Sequence, residues 1–105
     1  GTANEIRAEI TLSCSVVKGK GIPYVRVEKE DVLIGLWCDK PLESAVRKAV
    51  SNLIDWITDD YRLDVREAYL LTGTCPDFRI NVYQMVDLPG MFYTVGAELP
   101  KKYLD

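Results

Sequence analysis

Residues 42–57 read LESAVRKAVSNLIDWI, and the period of this stretch decides the fold class. Leu42, Ala45, Val46, Ala49, Val50, Leu53, Ile54 and Ile57 recur at alternating steps of three and one, which places them along one face of an α-helix. Pro41 precedes them, at a first-turn position where its missing N–H costs nothing. Glu43, Arg47 and Lys48 fall on the opposite face, and Glu43 and Arg47 have the spacing of an i,i+4 ion pair. The polar face lacks the basic character of a helix lying on a membrane, so this helix is expected to cover a sheet.

On the N-terminal side the period is two. Ile6, Ala8, Ile10 and Leu12 alternate with Arg7, Glu9, Thr11 and Ser13, the pattern of a half-buried strand, expected to run to about Val17. Lys18-Gly19-Lys20-Gly21 reads as a turn, since a Pro-led extended segment follows it rather than the helix a phosphate loop would need. Further strands are expected at Tyr24–Glu28 and Val32–Cys38, separated by the charged turn Lys29-Glu30-Asp31.

On the C-terminal side, Asp64 with Glu67 three residues on marks a second, shorter helix with a capping-box start. Val65, Ala68, Tyr69 and Thr72 are expected to face inward, and Gly73 to Pro76 to end the helix. Asp59-Asp60, where the long helix ends, reads as a solvated exit. Phe78, Ile80 and Val82 restore the strand period, Leu88-Pro89-Gly90 is a turn signal, and Met91–Leu99 is a last extended segment. The sum is one α+β domain over residues 1–105, a mostly antiparallel sheet with one long and one short helix on one face.

Composition narrows the function. A chain of 105 residues with a net charge of -3 has no basic face for nucleic acid, and no apolar run of 18 residues for a membrane span. The three cysteines, Cys14, Cys38 and Cys75, lack CxxC spacing and read as thiols in a reducing compartment. A cytoplasmic location is expected. The sequence contains no His, which removes Ser-His-Asp and Cys-His catalysis and leaves carboxylates as the only acid–base groups. Polar residues concentrate in Asp77-Phe78-Arg79-Ile80-Asn81-Val82-Tyr83-Gln84-Met85-Val86-Asp87. Asp77 and Arg79 share a strand face and could pair. Gln84 and Asp87 break the alternation, as a bulge or a buried polar contact would.

Five ordered patches resemble the acetamidase/formamidase family, in the C-terminal portion of its domain: Gly1-Thr2-Ala3-Asn4-Glu5, Ala68-Tyr69-Leu70-Leu71, Asp77-Phe78-Arg79-Ile80, Gln84-Met85-Val86-Asp87 and Ala97-Glu98-Leu99-Pro100-Lys101. The chain departs from the family in having Asn81-Val82-Tyr83 between Ile80 and Gln84, and in the apolar run Leu88–Thr94. The resemblance implies a larger β-rich hydrolase that cleaves the C–N bond of short linear amides to carboxylate and ammonia. It implies metal assistance, with a divalent ion, zinc by expectation, held upstream of Gly1 and no metal or cofactor site in this chain. The first residue, which is not Met and leads straight into a strand, is expected to be a cut edge. On this reading the partners are the missing N-terminal portion of the same enzyme and a small amide substrate, with assembly into a homo-oligomer. Asn4, Glu5, Gln84 and Asp87 are the candidate site-lining residues, and the chain alone is expected to be inactive. The alternative is a scaffold or interaction module that shares the fold and has no chemistry.

Overall fold

The computed structural model describes residues 4–104. Four strands form one antiparallel sheet in the order β1-β2-β4-β3: β1 (Arg26–Glu28), β2 (Val32–Asp39), β3 (Arg79–Gln84) and β4 (Tyr93–Pro100). Between β2 and β3 the chain forms α1 (Leu42–Tyr61) and α2 (Val65–Thr74), and a short 3-10 turn at Lys101–Tyr103 follows β4. The α+β class read from the sequence is what the chain adopts.

The stripe on α1 is the centre of the core. Ala45, Ala49, Leu53 and Ile57 are buried against Leu33, Val95, Ala97 and Leu99 of the two central strands, with Leu42, Val46, Val50 and Ile54 partly buried around them. The helix lies close to the sheet because β2 carries Gly35, where a Cβ would come within 2.7 Å of the Leu53 backbone nitrogen and 2.9 Å of the Ala49 carbonyl. A side chain there would force α1 away from the sheet. Gly96 on β4 does the same on the opposite face, where the Tyr83 ring folds over it.

The helix ends follow local chemistry. Pro41 is the cap residue of α1, its carbonyl accepting from Ser44 and Ala45, and Arg62 ends the helix in the left-handed region at φ 58. Asp64 and Glu67 form the expected capping box on α2. That helix buries a narrower stripe than its pattern suggested. Ala68 and Thr72 are covered and Leu71 is partly buried, but Val65 and Tyr69 are exposed, with α2 packed beside α1.

The first expected strand is not formed. Its start, Gly1 to Ala3, lies outside the described residues, and residues 4–22 contain a turn at 18–19 but no strand. Ile6, Ile10, Leu12 and Val16 stand exposed. A strand exists only when a neighbouring backbone completes its hydrogen bonds, and no backbone bond joins residues 4–22 to the sheet among the described residues.

Candidate functional site

Two of the four sequence candidates meet at one end of the sheet. Gln84 is the last residue of β3, opposite Thr94 and just past a register shift between Val82 and Gln84, so the alternation-breaking position is a bulge. Its side-chain oxygen is buried and has no hydrogen-bond partner. Asp87 lies three residues on, exposed, accepting from Lys40 Nζ at 3.3 Å and from the Tyr93 hydroxyl at 3.2 Å. Lys40 also sits 5.0 Å over the Tyr93 ring, so its position is set by an anion and an aromatic face together.

Beside them, Asp39 ends β2 directly opposite Tyr93. It receives Lys48 Nζ and Ser44 Oγ, both at 2.6 Å, and the Lys40 backbone N–H at 2.9 Å. The Lys48 ammonium first, then the Ser44 hydroxyl and the Lys40 N–H, hold its carboxyl down to about 2. Lys48 in turn lies 5.8 Å from the Trp37 ring, which stacks on Tyr24 at 4.5 Å. Cys38 Sγ is 3.3 Å from the Thr94 hydroxyl on the face away from α1, and a hydrogen bond with Cys38 raises the Tyr24 hydroxyl above its ordinary range.

Asn4 and Glu5 belong to the exposed N-terminal segment and form no hydrogen bond with the Gln84–Asp87 end among the described residues. The structure therefore places Gln84 and Asp87 at the same end of the sheet, without a hydrogen bond between them, and leaves Asn4 and Glu5 apart from that end. The expected Asp77–Arg79 pair is replaced. Asp77 takes the Tyr103 hydroxyl and Lys102 Nζ instead; those contacts, Tyr103 first, lower its carboxyl, and Asp77 in return pushes the Tyr103 hydroxyl up to about 12.

A second polar constellation was not legible in the sequence. Asn52 lies on α1 within the helical stripe region and is 1% exposed. Its amide donates to the Val25 and Leu36 carbonyls at 3.0 Å each, and its oxygen accepts from Arg26 Nε at 3.0 Å. Arg26 lies 5.4 Å over the Trp56 ring, and the Trp56 indole N–H donates to Asp60. Lys20 then pairs with Asp60 at 3.0 Å and, as the leading cause, lowers its carboxyl. Of these groups Lys20, Arg26, Trp56 and Asp60 line a cleft of about 300 Å³ with Val17, Ile22 and Glu28. Asp60 is thus more than a solvated helix exit; it fastens the incoming chain to α1. The only advance signal was a polar residue flanked by the apolar positions of a helix, which is common on any helix surface.

Metal binding can be judged from the donors. Among the described residues no three Cys, Asp or Glu side chains come together as ligands. Asp39 and Asp87 at the sheet end are both committed to lysines. Residues held in this way do not fit a divalent cation, which needs several free oxygen, nitrogen or sulfur donors around one point. No helix among the described residues is long and apolar enough to cross a membrane.

No protein-family model and no curated relative matches the sequence. Among solved structures, the chain is similar to an acetamidase from Yersinia enterocolitica, with 32% identity and a TM-score of 0.76 over 85% of this chain and 26% of that one. An acetamidase from Bacillus halodurans matches in fold with a TM-score of 0.66 at 20% identity, over 78% of this chain and again 26% of that chain. The chain therefore spans about a quarter of the length of the acetamidases it matches. Its structural neighbours are the kind of protein that the five sequence patches resemble, and its share of them is consistent with a C-terminal portion.

Proposed function

We propose that this chain is a portion of an acetamidase-like amidase and that it buttresses the hydrolytic centre without containing it. The observation that carries the reading is the Yersinia enterocolitica acetamidase match, 32% identity with a TM-score of 0.76 over 85% of the chain. The reaction is hydrolysis of a short linear amide. A water oxygen bonds to the carbonyl carbon, the C–N bond breaks, the departing nitrogen takes one of the water's protons and the other is released to solvent, giving a carboxylate and ammonia. A divalent metal, zinc by preference, would polarise the carbonyl and the water. Its ligands are proposed to lie in the part of the enzyme outside this chain; no three Cys, Asp or Glu side chains come together among the described residues.

Within the chain, Gln84 and Asp87 are the proposed lining residues. The unpartnered Gln84 oxygen is an acceptor suited to an amide N–H, and an acceptor left unsatisfied at a buried position gains from such a partner. Asp87, which accepts from Lys40 Nζ and the Tyr93 hydroxyl, would orient that end of the sheet. Asn4 and Glu5 are proposed to line the site only once residues 4–22 are ordered by the rest of the enzyme. The working form is a cytoplasmic homo-oligomer of the full-length protein.

The test is ammonia release from formamide and acetamide by the 105-residue chain, by the full-length parent, and by the parent carrying Gln84→Ala. Activity is expected in the parent only, with Gln84→Ala raising KM several-fold. A parent that releases no ammonia from any short amide, with or without zinc, would leave the scaffold reading in its place.

A further inference from the structure

Residues 6–17 are the one long stretch whose sequence demands a structure that this chain does not give it. Ile6, Ala8, Ile10, Leu12, Cys14 and Val16 alternate with Arg7, Glu9, Thr11, Ser13 and Ser15, twelve residues of one-sided strand pattern. Yet Ile6 is 89% exposed, Ile10 76%, Leu12 82% and Val16 84%. No backbone hydrogen bond satisfies the segment from within the chain among the described residues.

The chain's own sheet cannot accept it. Lys20 on Asp60, with Val17 and Ile22 beside Arg26 and Trp56, ties the end of the segment to the β1 side of the domain. The nearest edge strand, β1, has only three residues, and β3 is the edge on the far side of the sheet. Twelve extended residues span about 40 Å, whereas the longest strands here have eight residues. The segment calls for a longer edge than this domain possesses.

Resting on the amidase reading above, we propose that residues 6–17 form a strand added to a sheet edge of the remaining portion of the same enzyme, with Ile6, Ile10, Leu12 and Val16 buried against it. The acetamidase neighbours carry about three quarters of their length beyond the matched part, chain enough for such a sheet. An attached portion also acts at a millimolar-range effective concentration, which favours it over a second copy of this chain. Self-pairing would in addition leave both apolar faces in water, since two strands alone are at best marginally stable.

Amide hydrogen exchange over residues 6–17, in the full-length parent and in the 105-residue chain, tests the assignment. Exchange in the parent is expected to be roughly a hundredfold slower than in the chain alone. In the parent, Ile10→Asp should speed exchange across the segment, while Thr11→Asp on the polar face should change it less than about twofold. If Ile10→Asp prevents the parent from folding, the wild-type comparison with Thr11→Asp still decides the matter. Equally rapid exchange in both forms overturns the proposal. So does protection in the short chain that rises with its concentration, which would assign the partner as a second copy. A protected segment in a parent without amidase activity would defeat the functional reading and leave the strand standing, whereas an active parent with free exchange would do the reverse.

Discussion

Asp39 gathers three donors at the point where β2 turns into α1, and its charge has a consequence for stability. A carboxyl held at about 2 in the folded chain against roughly 3.9 when unfolded stabilises the fold above about pH 4, and loses that effect as pH falls toward 2. Asp39→Asn should lower the urea midpoint at pH 7, and the gap from the unaltered chain should close near pH 2. A gap unchanged down to pH 2 would mean that the contacts to Lys48 and Ser44 carry no net weight. Asn52 acts by different physics, since its amide satisfies two carbonyls that are otherwise buried. Asn52→Ala should cost about 1–3 kcal/mol in denaturant unfolding, and full stability in that variant would show that water replaces the amide. Gln84 was legible from its break in alternation; Asn52 was not, because a burial partner 16 or 27 residues away leaves no mark on local period.

Among the elements, α1 and β2 approach as closely as they do because Gly35 has no side chain. Gly35→Ala should destabilise the domain by about 1–3 kcal/mol, since the atoms in the way are backbone of α1 and cannot turn aside. An unchanged thermal midpoint would contradict that packing. Asp64→Ala, which removes one half of the capping box on α2, should cost about 1 kcal/mol, and a circular dichroism melt that does not shift would remove the cap from the account. The long helix was readable to within a few residues because eight apolar positions on one stripe leave few alternatives. The burial of α2 was not. Val65 and Tyr69 carry the right residue types, but only the placement of α2 beside α1 decides which of its sides is covered.

At the scale of the whole molecule, the helix-covered sheet holds the core and residues 4–22 stand largely outside it. Ile6, Ile10, Leu12 and Val16 bury little surface in this chain, so deleting residues 1–16 should change its unfolding free energy by less than about 0.5 kcal/mol. A larger loss in a denaturant titration would mean that the segment packs on the domain. The polar cleft around Arg26 and Asp60 would survive that deletion, because Lys20 remains to bridge to α1. By itself the sequence determined the α+β class, the long helix and its buried stripe, the capping box, and the resemblance that the acetamidase neighbours bear out. Period, capping and composition are properties of one segment, read without knowing its neighbours. Only the tertiary structure decided the strand order β1-β2-β4-β3, the placing of Gln84 opposite Thr94 and of Asp87 against Lys40 and Tyr93, and the failure of residues 6–17 to become a strand. Each of those depends on a backbone or side-chain partner brought in from elsewhere in the chain, and a strand pattern without a partner edge remains unpaired.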